Sequence, residues 1–105
     1  MNQQNLDAIL SDVIAERERQ DGKWGEQNHE DGIGGLYFTQ LERDARRDYE
    51  YAAKDGAMTW ALILREELYE ALSAATTNDL ETELTQVMAV AAAWREAIAR
   101  RKNNG

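Results

Sequence analysis

Leu6, Ile9, Leu10, Val13 and Ile14 recur at spacings of three and four, with polar residues between them. That period places them on one face of an amphipathic helix, predicted over 5–20 with Asn5 as its N-cap. The tract Glu16-Arg17-Glu18-Arg19-Gln20 ends it as a solvated, charged surface. From Asp21 to Leu36 the period is lost, and five glycines and two Asp-Gly pairs predict a long irregular loop. A connection of that length inside a small protein is often functional. Trp24, in its middle, either docks back as a plug or stacks on a ligand.

Periodicity returns with Tyr37, Leu41, Ala45, Tyr49 and Ala52, which predict a helix over 37–54 stopped by Asp55-Gly56. On it, Arg43, Arg46 and Arg47 can pair with Asp44, Asp48 and Glu50. A third helix starts at the cap Thr59 and runs to Ala75. Residues 76–79 break it, and Asn78 with Glu81 reads as a capping box for a fourth helix over 79–101. Residues 87–94, VMAVAAAW, are apolar almost all the way round. A helix of that kind must be enclosed on more than one side, and a second subunit is the natural cover. Residues 102–105 are expected to be a flexible tail.

The chain has 105 residues, which predicts a single domain over 1–105. The absence of proline agrees with an all-α fold, a four-helix bundle that associates into a dimer or tetramer. Twelve Lys and Arg against 20 Asp and Glu give a net charge of -8. That balance argues against nucleic acid or an anionic membrane as a partner. With no cysteine and the single histidine His29, thiolate chemistry and multi-His metal centres within one chain are excluded. No apolar run approaches the roughly 18 residues of a membrane span, and the N-terminus lacks a basic leader. A cytoplasmic protein is expected.

The third helix carries the chemistry. Glu66, Glu67 and Glu70 stand among Leu62, Ile63, Leu64, Leu68, Tyr69 and Leu72. Glu67 and Glu70 project within about 60° of each other. Like charges that close raise each other's pKa unless a cation lies between them. Glu83 and Gln86 repeat the spacing on the next helix, and an antiparallel turn would set the two pairs face to face. An oxygen-rich cluster of this kind suits a hard divalent cation, Mg²⁺ above all, with Mn²⁺ as a substitute. Such an ion can bridge polyphosphate oxygens and polarise water. The plainer alternative has these acids on outer faces, paired with Arg65 or with solvent.

Trp60, Glu66-Glu67-x-x-Glu70, a short connection and Glu83-x-x-Gln86 before an apolar helix resemble the MazG-like all-α NTP pyrophosphohydrolase superfamily. That family carries ExxE, a linker, then ExxD; here 12 residues separate Glu70 from Glu83. The resemblance covers residues 60–94, and the chain is also similar to small phage and actinobacterial proteins described as MazG-like. It implies a helical dimer or tetramer that hydrolyses a nucleoside triphosphate to a monophosphate and pyrophosphate. By position, Glu67, Glu70, Glu83 and Gln86 are the implied Mg²⁺ ligands. Glu66 and Glu67 are the implied catalytic carboxylates, with Glu66 orienting water or a second ion. Gln86 departs from the family's Asp, which removes one negative charge and one proton acceptor.

A nucleotide ligand would need further groups. Arg19, Lys23, Lys54 and Arg65 are the candidate phosphate partners, and Trp24 or Trp60 the candidate base platform. Gln27, Asn28 or His29 could read the base's polar edge. Two other functions compete with hydrolysis. One is a non-catalytic nucleotide-binding protein, a sponge of phage origin, which Gln86 favours. The other is a structural helical interaction module in which the acids only solvate a helix pair.

Overall fold

A computed structural model describes residues 1–104, which form four α-helices and no strand: α1 Gln3–Trp24, α2 Gly35–Asp55, α3 Trp60–Leu72 and α4 Thr77–Asn104. No helix among the described residues is long and apolar enough to cross a membrane. Packing divides the chain into two compact units, Gly32–Ala91 and Met1–Asp31 with the chain from Ala92 onward.

In the first of these units, α2 packs on α3 through small side chains. Ala45, Ala52 and Ala71 are its buried apolar residues, with Ala71 at 0% exposure. Methyl groups at the contact let two helix backbones approach closely, where a larger side chain would hold them apart. An Arg65–Asp48 ion pair at 2.6 Å ties the same helices together at the surface.

Local signals explain where these helices begin and end. The Oγ1 of Thr59 accepts from the Leu62 amide at 3.2 Å, so α3 is capped where its sequence predicts. Gly56, in the left-handed region at φ 67°, ends α2 by donating to the Ala52 carbonyl. The third helix stops three residues earlier than predicted. The Leu72 carbonyl is taken by the Gly34 amide at 2.8 Å, and the Ala74 amide turns back to Ala71 at 3.2 Å. The cap of α4 also differs from expectation. Thr76, two residues before Asn78, accepts from the Asp79 amide at 3.1 Å, and Asn78 lies inside the helix.

In the other unit, Ile9 of α1 and Glu96 of α4 are the buried residues, and Arg95 bonds Asp12 at 2.9 Å. Helix α1 outruns its predicted ends on both sides. Asn2 replaces Asn5 as the N-cap, its side chain accepting from the Asn5 amide at 3.1 Å. At the far end Gly22 stays helical, at a cost of about 1 kcal/mol relative to alanine. The stop comes at Gly25, φ 69°, whose amide donates to the Asp21 carbonyl at 2.7 Å. The irregular segment therefore spans 25–34, shorter than the predicted 21–36. Helix α4 continues past Arg101 to Asn104, where a tail was expected over 102–105; Gly105 lies outside the described residues. No glycine or proline interrupts it, and Arg101 and Lys102 oppose the negative end of its dipole.

The enclosure that residues 87–94 call for is not supplied along the whole segment, since Met88 is 62% exposed. Large apolar side chains are exposed elsewhere too, among them Ile14 and Leu36.

The alanine contact between α2 and α3 yields a direct prediction. Replacing Ala71→Leu forces the two helices apart and should lower unfolding free energy by about 2 kcal/mol. Urea denaturation followed by circular dichroism checks this. A shift within error of the wild type would mean that the contact yields without strain.

Candidate metal centre

Glu66, Glu67 and Glu70 sit on the second and third turns of α3, and Glu83 sits on the second turn of α4. The short connection between the helices and the Thr76 cap set where α4 departs. Glu67, Glu70 and Glu83, all half-buried, each offer a carboxylate oxygen within 4.8 Å of the others. The face-to-face arrangement expected from the three-residue spacing is therefore met for three of the four implied ligands. Gln86, one turn beyond Glu83, is exposed.

Electrostatics reflect this crowding. Glu70 is pushed up to about 7, first by a side-chain hydrogen bond with Glu66, then by burial and by the Glu66 charge. A hydrogen bond with Glu83 and the positive charge of Arg46 pull in the opposite direction. Burial raises Glu67, with the charges of Glu70 and Glu83 adding to it. Burial also raises Glu83, followed by the charge of Glu70, their shared hydrogen bond and Asp79. Near neutrality the cluster holds a proton in the place where a cation would bring balancing charge.

The donor set tests well against a metal. Three hard carboxylate oxygens on two helices match the preference of Mg²⁺ or Mn²⁺ for oxygen. A bound ion would draw the three carboxylates closer together. Removal of the shared proton would accompany that change.

The other predicted residues divide between the two units. Arg65 is not a partner of the α3 acids; it is committed to Asp48 on α2. Lys54 lies on the face of α2 opposite Ala45 and Ala52. There it lines a hollow of about 160 Å³ with Arg47, Glu50 and Tyr51. Trp60 is the first, half-buried residue of α3. In the other unit, Arg19 is held by the Glu16 carboxylate, with its Nε 2.8 Å from Glu16. Trp24 is the last residue of α1 and is 53% exposed, so it is not a buried plug. The Lys23 ammonium stands over its ring, 4.9 Å from the centroid. Gln27, Asn28 and His29 are exposed in the irregular segment.

Arg46 joins the site although its place in the sequence does not mark it. It pairs with Glu42, one turn earlier on α2, and its charge reaches Glu70 across the α2–α3 contact. The i, i+4 spacing of Glu42 and Arg46 was the available signal; its meaning depended on which way that face points. Arg47 does pair with Asp44 and Asp48, at 3.5 and 3.4 Å. Compared with protein-family models, curated proteins and solved structures, the chain matches none.

The cluster predicts a pH-dependent stability. Glu70 has a folded-state pKa of about 7, raised from 4.5, so the folded protein binds this proton more tightly than the unfolded chain. Its contribution is fully present below 4.5 and is lost as pH rises through 7. The melting temperature of metal-free protein should fall across that window, and Glu70→Gln should flatten the fall. Thermal melts at intervals between pH 4.5 and 8 check it. An unchanged slope in the variant would assign the fall to other groups.

Proposed function

We propose that this protein is a Mg²⁺-dependent nucleoside triphosphate pyrophosphohydrolase-like protein, acting as a homodimer or homotetramer in the cytoplasm of a bacterium or phage-infected host. In this reading its fold is a MazG-like four-helix bundle. The observation that carries the proposal is the convergence of Glu67, Glu70 and Glu83, with their raised pKa values, from two successive helices.

In this reading Glu67, Glu70 and Glu83 hold the ion, and the side-chain carbonyl of Gln86 completes the set. The bound ion supplies charge neutralisation for the phosphates and Lewis acidity toward water. Glu66, held by its hydrogen bond with Glu70, orients the attacking water, and Glu67 is the second catalytic carboxylate. Water adds at the α-phosphorus, the bond to the bridging oxygen breaks, and monophosphate and pyrophosphate result. Arg46 provides positive charge on the α2 side, a role that its effect on Glu70 supports. Lys54, Arg65 and Trp60, in the same unit as the acids, are the candidates for contacts with phosphates and base.

A second reading keeps the ligand and drops the turnover. Gln86 favours it, because an amide can bind a cation but cannot take a proton. The protein would then sequester a nucleotide.

Incubation with Mg²⁺ and a panel of NTPs and dNTPs, read for pyrophosphate and for thermal shift, distinguishes the two. Product supports hydrolysis. A ligand-induced shift without product supports sequestration, and neither signal overturns both. Glu67→Ala should abolish the Mg²⁺-dependent shift; its full persistence would remove this ligand set. Gln86→Asp should tighten metal binding by about tenfold through the added ligand charge. Unchanged binding in calorimetry would place Gln86 outside the site.

A further inference from the structure

Unit Met1–Asp31 with the chain from Ala92 onward presents an unusual face on α1. Leu10, Val13 and Ile14 are 45%, 47% and 60% exposed along successive turns. Isolated exposed leucines are ordinary, but three neighbours on one face form a patch. Asp7 and Arg17 stand at its two ends. Asp7 accepts from the neutral Gln3 amide at 2.9 Å, and Arg17 donates to the neutral Gln20 amide at 2.7 Å. Neither charge has an opposite charge as its partner among the described residues.

At 100° per residue, Asp7, Leu10, Ile14 and Arg17 fall within an arc of about 80°. They are also symmetric in sequence about position 12: Leu10 and Ile14 lie two residues to either side, Asp7 and Arg17 five. A second copy of α1, laid antiparallel across a two-fold axis beside position 12, sets Leu10 against Ile14 of the other copy, twice. The same register sets Asp7 against Arg17, also twice. A parallel pairing would instead place Asp7 on Asp7 and Arg17 on Arg17.

The geometry points to the Leu10–Ile14 face of α1 as a two-fold interface between copies of this chain, with its antiparallel register selected by Asp7 and Arg17. This inference rests on the self-association contained in the proposed function and names the surface responsible.

Sedimentation equilibrium of the full chain tests it, with far-UV circular dichroism as the control for helicity. The wild type should self-associate. Asp7→Arg and Arg17→Asp should each weaken association by about tenfold, since two ion pairs are lost and two repulsions are gained. The double reversal Asp7→Arg/Arg17→Asp should restore it to within about threefold, a rescue that misfolding cannot mimic. Ile14→Glu should abolish the contact with helicity retained. A wild type that stays monomeric at every concentration removes self-association from the proposed function. A wild type that associates while both single reversals leave the constant unmoved overturns this face alone.

Discussion

Carboxylates repel, and around the α3–α4 turn the fold holds three of them within 4.8 Å of one another. Two full charges at that distance cost about 1 kcal/mol in water and about 3.5 at an effective dielectric constant of 20. The chain reduces this cost by keeping a proton on Glu70, which bonds Glu66 and Glu83, and by placing the Arg46 charge nearby. What keeps the glutamates from swinging apart is backbone placement. Helix α3 is fixed against α2 by Ala45, Ala52 and Ala71, and α4 starts at a capped Thr76 only four residues after α3 ends. Local sequence and close packing thus maintain a site whose own electrostatics oppose it.

Much of this was legible in the sequence because it is local. Three-residue spacing on a helix fixes an angle, so Glu67 and Glu70 had to share a side. Thr59 was readable as a cap because an apolar run follows it at once. The errors fell where several local solutions cost nearly the same. Asn2 and Asn5 are equally good caps, and the longer helix wins because nothing between them resists helix formation. Gly22 suggested a break, yet a single glycine costs less than the helical turn it would end. Thr76 competes with Asn78 for the same role and gains two further helical residues. The partners of Arg46 and Arg65 were not legible at all, because each depends on how α2 and α3 face one another. Arg65 belonged to Asp48, 17 residues away, rather than to its own helix.

In the proposed function, Gln86 is the residue on which the step from geometry to chemistry turns. With aspartate there, a four-carboxylate cluster would need still more protonation to exist without a cation, and it would bind that cation more tightly in return. In the proposed site, glutamine would relax both requirements: the metal-free state would be tolerated more easily, and an ion would be held by three anionic ligands and a neutral one. Weaker capture does not by itself prevent turnover, because Glu66 lies beside the cluster and is not needed as one of its three converging ligands. Within the proposed ligand set, the glutamine would act on affinity and on the number of proton acceptors. The geometry that would orient a water lies on α3, at Glu66 and Glu70, one helix away from the substitution.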